Sequence, residues 1–247
     1  MAEAYLTELF SSLQGEGRYV GERQIFVRFA GCNLACQYCD SPQALVLGPT
    51  YKVENSPGSR KFETLPNPVS AAKLCELVGT LDKPAGINHS LSLTGGEPLL
   101  QVDFLKEFLP QLKMKVYLET NGVLADRLAE VIELVDIIAM DIKLPSATGQ
   151  SPYWKEHRKF LETAYLKEVF VKIVVTKETN VKEVDEAASL IAEVDDKLPL
   201  VIQPVSPHGP TKHRPAAEEL LAFHAVAKRK LTDVRVIPQL HKIAGLL

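Results

Sequence analysis

Apolar, β-branched runs recur along the chain at residues 24–30, 90–94, 115–120, 137–142, 169–176 and 199–204. Between most of them lie amphipathic stretches at roughly 3.6-residue spacing, at 71–81, 104–112, 124–134, 181–194 and 216–230. The first set predicts strands and the second predicts helices. Asn180 is placed to cap one helix, with Glu183 three residues on in a capping-box-like arrangement. Strands that alternate with helices through short loops imply parallel pairing, with the helices covering the sheet. Six such units are too few to close an eight-stranded barrel. The expected fold class is therefore α/β, an open, partial (β/α)6-type TIM barrel with parallel strands. Functional groups then belong at the C-terminal ends of the strands.

Two segments break the alternation. Residues 42–68 carry Pro42, Pro49, Pro57, Pro66 and Pro68 with Gly48 and Gly58, which reads as a long insertion or flexible lid. Residues 206–215 contain Pro207, His208, Gly209, Pro210 and His213, a second loop just past a strand end. No internal repeat or low-complexity tract is present, so one domain over 1–247 is the economical expectation.

Composition narrows the partners. The chain has 247 residues, 46% hydrophobic and 24% charged, as ordinary globular proteins do. A net charge of −3, a sequence pI near 6.1 and no long basic run argue against nucleic acid or a membrane surface. They favour a small-molecule or protein substrate. No run of about 18 apolar residues occurs, and the acidic start Met1-Ala-Glu-Ala-Tyr5 has no signal-like apolar core. Four cysteines, three of them clustered, suggest metal binding in a reducing compartment rather than a disulfide framework. A cytoplasmic protein is expected.

The clustered cysteines are Cys32-x-x-x-Cys36-x-x-Cys39, directly after the run Ile25-Phe-Val-Arg-Phe-Ala-Gly31. Three thiolates close together can each ligate one iron of a 4Fe–4S cluster and leave the fourth iron open. A structural zinc site would normally close with a fourth Cys or His; here it would need Asp40 or a distant His. Cys75 lies in a helical stretch and reads as a small buried hydrophobe, and His89, His157 and His224 read as structural. A second motif, Thr94-Gly95-Gly96-Glu97-Pro98, ends a predicted strand. Its glycines let the backbone approach a ligand closely, and Glu97 offers an acceptor to a cationic ligand group. A third, Leu13-Gln14-Gly15-Glu16-Gly17, sets an amide and a carboxylate two apart in a glycine-rich turn, suited to a nitrogen heterocycle. Arg28, inside an apolar run, supplies the planar fork that binds a carboxylate bidentately. Singly, each motif also has an ordinary reading: a turn, a hairpin, a solvent-facing arginine.

Together, the cysteine spacing and the Gly-Gly-Glu motif one strand later resemble the radical S-adenosylmethionine (SAM) enzymes. The resemblance implies that the open iron binds the amino and carboxylate groups of SAM, and that a reduced cluster cleaves it to methionine and a 5′-deoxyadenosyl radical. It implies SAM contacts at Tyr38, Cys39, Asp40, Gly95, Gly96, Glu97, Asp141, Ile142, Lys143 and Gln203, and cluster ligation by Cys32, Cys36 and Cys39. Adding the Gln14–Gly17 turn, Arg28, Cys39-Asp40-Ser41 and the ending Pro238-Gln239-Leu240-His241, most of the chain is similar to the 7-carboxy-7-deazaguanine synthase family of queuosine biosynthesis.

That family converts 6-carboxy-5,6,7,8-tetrahydropterin to 7-carboxy-7-deazaguanine with loss of ammonia, and regenerates SAM. The resemblance implies a pterin site of Leu13, Gln14, Gly15, Glu16, Arg28 and Thr94, with Gln239 and His241 closing over it from the C-terminal segment. It also implies Mg²⁺ held by Ser41, a hard oxygen ligand, a flavodoxin or ferredoxin as electron donor, and a homodimer. The stretch 42–68 lacks an aromatic-rich sequence common after the cysteine loop in the family. Two alternatives share part of the pattern. A glycyl-radical activase has the cysteine spacing but no need for Gln14, Glu16 and Arg28, and a non-catalytic metal-binding module needs only the cysteines.

Overall fold

Each expected strand forms within a residue of its expected bounds in the computed structural model, which describes residues 2–208, 211 and 213–247. The strands are β1 (Glu3–Ala4), β2 (Leu6–Leu13), β3 (Arg23–Phe29), β4 (Thr50–Glu54), β5 (Phe62–Pro66), β6 (Val69–Ser70) and β7 (Ser90–Gly95), followed by β8 (Val116–Thr120), β9 (Ile137–Ile142), β10 (Glu168–Val175), β11 (Leu200–Pro204) and β12 (Val234–Val236). The helices are α1 (Ala71–Leu81), α2 (Val102–Phe108), α3 (Ala125–Ala129), α4 (Pro145–Thr148), α5 (Trp154–Ala164), α6 (Val181–Ala192), α7 (Ala217–Lys228) and α8 (Leu240–Ala244). Gly209, Pro210 and Lys212, within the expected loop at 206–215, lie outside the described residues. Among the described residues no helix is long and apolar enough to cross a membrane.

Ten strands form one sheet in the order β12-β11-β10-β9-β8-β7-β3-β2-β4-β5. Every pairing from β3 across to β12 is parallel. On the other side β2 runs antiparallel to β3, and β4 and β5 form an antiparallel hairpin. The ends of the sheet, β12 and β5, do not pair, so the barrel is open as expected. The short β12 extends the expected six parallel strands by one.

The two-residue side-chain period gives this sheet two different faces. Along β10, Val169, Val171, Ile173 and Val175 join the main core under the helices. The alternate residue Phe170 joins Tyr117, Ile137, Ala139 and Val201 in a separate plug inside the barrel. Above that plug the inward positions turn polar, with Lys172 on β10, Glu119 on β8 and Asp141 on β9. The apolar plug closes the bottom, and the polar layer forms the floor of what lies above.

Differences from the expected pattern have local causes. The helix expected over 104–112 stops at Phe108 and continues as a 3-10 turn, Leu109–Gln111, because Pro110 has no N–H with which to continue the α-helical ladder. Asn180 Oδ1 caps α6 by accepting from the Glu183 amide at 3.1 Å, but the Glu183 side chain accepts instead from Ser146. Residues 42–68 are not a loose insertion. They hold the β4–β5 hairpin, whose Tyr51 and Val53 are buried in the main core. Among the elements that the periodic reading does not give are β2, which is irregular in register near Leu6 and Glu8, and α5, which buries only His157, Phe160, Leu161 and Ala164 among charged neighbours.

Phe104 packs edge-on against Phe29 at 6.3 Å and stacks on Phe108 at 5.6 Å, so helix α2 holds the strand that carries the cysteine loop. Phe104→Ala should destabilise the fold by about 3–5 kcal/mol, read as a lowered urea midpoint at unchanged slope.

Candidate active site

The strand ends enclose a cavity of about 340 Å³. Its geometry begins with the parallel pairing of β3 and β7, which sets Phe29 opposite Gly95. The chain beyond β7 then turns back on the cysteine loop, the Gly96 amide donating to Phe29 O at 3.0 Å and the Glu97 amide to Gly31 O at 2.8 Å. A Cβ on Gly96 would lie 1.9 Å from Gly31 O, so only glycine permits the two turns to touch. Gly95 adds a positive φ of 114°.

Cys32, Cys36 and Cys39 all line the cavity, and none is in a disulfide. The Leu34 amide donates to Cys32 Sγ at 3.4 Å, support suited to an anionic sulfur. Burial raises the Cys32 and Cys36 thiols above the ordinary range, a tendency that ligation to iron would reverse. Cys75 packs against the main core and is not a fourth ligand. Across the cavity Gln203 is 2% exposed, and its Oε1 has no hydrogen-bond partner among the described residues. Three free thiols and an orphaned buried acceptor facing one cavity fit a three-cysteine cluster with a bound polar cofactor.

Nearly all the residues expected to contact pterin or SAM, and Ser41, line this cavity. Glu97 and Ile142 are the exceptions. Both side chains are fully buried and neither lines the cavity. Glu97 offers no acceptor to a ligand because its oxygens accept from Leu99 N at 3.1 Å, Thr120 Oγ1 at 2.9 Å and Asn121 N at 2.8 Å. Burial lifts its carboxyl to about 7. Its work is to tie the turn after β7 to the end of β8. Asn121 extends that tie, its Nδ2 donating to Asn33 Oδ1 inside the cysteine loop at 2.8 Å.

The opposite wall carries the Gln14–Glu16 turn. Gln14 is nearly buried, and its amide is occupied, donating to Gln24 Oε1 at 3.0 Å and Glu119 Oε1 at 2.8 Å and accepting from the Glu16 amide at 3.0 Å. It shapes the turn more than it offers free groups. Glu16 accepts from Gln239 Nε2 at 2.6 Å and is ion-paired with Lys172. Burial alone would raise its carboxyl, but the Lys172 ammonium outweighs it and holds Glu16 at about 2. Arg28 lies over the Phe10 ring at 5.7 Å, pairs with Glu8 at 3.2 Å and donates to Ser41 Oγ at 3.1 Å.

The C-terminal segment closes this side. The Leu240 amide donates to Gly15 O at 2.8 Å, and a Cβ on Gly15 would collide with the His241 ring. Glu16, Asp40 and His241 bring donor atoms within 4.8 Å of one another, and Leu247 also lines the cavity.

Glu119, Asn121 and Lys172 are cavity residues that the motifs miss. Glu119 accepts from Gln14, Ser92 and Thr94, and burial raises its carboxyl. The available signal was the one that singled out Arg28, a charge interrupting an apolar strand. Of the histidines read as structural, His89 stacks on Tyr19 and His224 bonds the Val234 carbonyl. His157 is fully buried, its Nε2 lying 3.2 Å from Asn121 O and 3.4 Å from the Lys143 amide nitrogen.

Gly96→Ala should abolish cluster loading, seen as lost iron uptake and lost absorbance near 400 nm, with far-UV circular dichroism unchanged. Burial lowers His157 from 6.5 to about 4. Its contribution to stability is therefore complete above about pH 6.5 and is lost as pH falls through about 4, a loss of roughly 3 kcal/mol. His157→Gln should flatten that part of the stability–pH curve in urea denaturation.

Comparison with known proteins agrees with this geometry. Residues 26–191 match the Radical SAM superfamily. A 7-carboxy-7-deazaguanine synthase from Geobacter sulfurreducens is 46% identical over 99% of this chain and 98% of its own length. Another, from Methanothermobacter thermautotrophicus, is 36% identical over 100% of this chain and 99% of its own. Among solved structures, QueE from Escherichia coli shares the fold with a TM-score of 0.58 at 19% identity, covering 97% of this chain and 95% of that one. SuiB from Streptococcus suis bound to S-adenosylmethionine has a TM-score of 0.55 at 18% identity, covering 84% of this chain and 48% of that one. The chain belongs to the radical SAM superfamily and, within it, to the 7-carboxy-7-deazaguanine synthase family.

Proposed function

We propose that this enzyme is a lyase that converts 6-carboxy-5,6,7,8-tetrahydropterin to 7-carboxy-7-deazaguanine, releasing ammonia, in queuosine or other 7-deazaguanine biosynthesis. The observation that carries this reading is that the cysteine loop and the Gln14–Glu16–Arg28 wall face one cavity, in a chain of that family. When bound, a 4Fe–4S cluster on Cys32, Cys36 and Cys39 supplies, with SAM, the radical that starts the reaction.

The residues of the chain bind and orient. Glu16, held ionised by Lys172, sets a carboxylate on the pterin side, where N–H donors of the heterocycle need an acceptor, and Glu119 lies beside it. Arg28 is assigned the substrate carboxylate, and its contact with Ser41 sets that carboxylate beside the hydroxyl assigned to Mg²⁺. On the other side Asp141, Lys143, Tyr38, Asp40, Gly96 and Gln203 are assigned to SAM, with Lys143 paired to Asp141 at 2.7 Å. Gln239 and His241 cover the pterin side and exclude water from it. A flavodoxin or ferredoxin as donor, a homodimer and a cytoplasmic setting complete the reading on family grounds. Full-length similarity to the synthases leaves the activase reading without support.

The test is an anaerobic assay with reductant, SAM, Mg²⁺ and the carboxytetrahydropterin, in which the deazaguanine product should accumulate. Production of 5′-deoxyadenosine alone would retain the superfamily chemistry and discard the substrate. His241→Ala should raise the pterin KM about tenfold or more, as expected for losing a hydrogen bond to a charged group. Unchanged turnover and affinity would remove His241 from the site.

A further inference from the structure

We infer that Lys172 couples the two halves of the cavity, so that SAM and the pterin each strengthen the binding of the other; this rests on the substrate assignment proposed above. Lys172 stands in β10 between Val171 and Ile173, both fully buried in the main core, and its own side chain is only 10% exposed. A lysine is rarely found so deep without partners, and here it has two from opposite walls. Its Nζ meets Glu16, on the turn after β2, and Asp141 Oδ1 at 3.3 Å, at the end of β9.

Each carboxylate carries the connection onward. The other oxygen of Glu16 accepts from Gln239 in the C-terminal segment at 2.6 Å. The other oxygen of Asp141 accepts from Lys143 Nζ at 2.7 Å, and that ammonium lies 5.5 Å from the centre of the Tyr38 ring in the cysteine loop. One ammonium therefore joins the wall assigned to the pterin with the wall assigned to SAM. Lys172 is a positioning residue in this account, acting through Glu16 and Asp141.

The sign of the coupling follows from ordering. A ligand that fixes Glu16 also fixes the lysine held by it, and through the lysine Asp141. The second ligand then meets a wall whose ordering cost has already been met, which is positive cooperativity. Thermodynamic reciprocity requires the same factor in both directions.

The experiment uses anaerobically reconstituted holoenzyme with its cluster oxidised and no reductant, so that binding is measured without turnover. Titration calorimetry gives the Kd of SAM with and without saturating 6-carboxytetrahydropterin, then the reverse. In the wild type each ligand should tighten the other about tenfold, by the same factor. Lys172→Met should weaken each ligand alone, because Glu16 and Asp141 lose their shared cation, and should also bring the factor close to one; Lys172→Arg, which keeps the cation, should restore the factor. If Lys172→Met does not load its cluster, Lys172→Gln replaces it, with the same loss expected. Ligand-independent affinities in the wild type, or an unchanged factor in the uncharged variant, would overturn the coupling. Failure of the pterin to bind at all would instead overturn the substrate assignment, and the coupling with it.

Discussion

Everything at the active site depends on one backbone contact, the approach of the turn after β7 to the cysteine loop after β3. Parallel pairing places both strand ends at the same height, but ordinary side chains would hold the two turns apart. Glycine at 96, against the carbonyl of Gly31, removes that barrier. The amides of Gly96 and Glu97 then bond the β3 end and the cysteine loop, and Glu97 itself, fully buried, passes the connection to β8. Asn121 returns it to Asn33 between the first two cysteines. The loop that presents three thiols is thus fixed by hydrogen bonds from two neighbouring strand ends.

The same sheet explains how a polar cavity survives inside a fold dominated by apolar strands. Period-two alternation sends valines and isoleucines outward to the helices and leaves the inward positions free to differ by height. Low in the barrel those positions are Tyr117, Ala139, Phe170 and Val201, a dry plug. One step higher on β8, β9 and β10 they are Glu119, Asp141 and Lys172. Burying such charges is costly unless they are paired, and removing one partner leaves the other stranded. The lysine between carboxylates, and the glutamine and threonine that donate to Glu119, supply that pairing.

Much of this is legible in the sequence because its physical signal is local. Strands buried on one face by helices read as β-branched runs, and α1 and α6 read as clean helical stripes. The cysteine spacing and the glycine-rich turns carry their chemistry in adjacent residues. What escapes reading is what depends on distant partners. The hairpin in 42–68 looks like loop because its prolines and glycines stand out, while the two residues that anchor it, Tyr51 and Val53, gain meaning only against the core. Glu97 reads as a ligand because the motif is at a ligand site, yet its acceptors are used by Leu99 and by Thr120 and Asn121, more than twenty positions later at the end of β8. Glu119 and Lys172 are single charges in apolar strands, and nothing in either strand says which wall of the cavity each one faces.

Those single charges show where local consistency was given up. A valine at 172 would suit β10 better, as would an apolar residue at 119 on β8, and the apolar plug beneath shows that the barrel interior readily accepts such residues. That the fold carries a buried ammonium with three carboxylates around it is the kind of local conflict expected at a functional site rather than in a scaffold. The conflict also fixes direction. With aromatic rings below and the charged layer facing upward, the cavity opens toward the strand ends, beside the C-terminal segment. The cysteine loop waits on one side of that entrance and the Gln14–Glu16 turn on the other, so both ligands must be held in the same enclosed space.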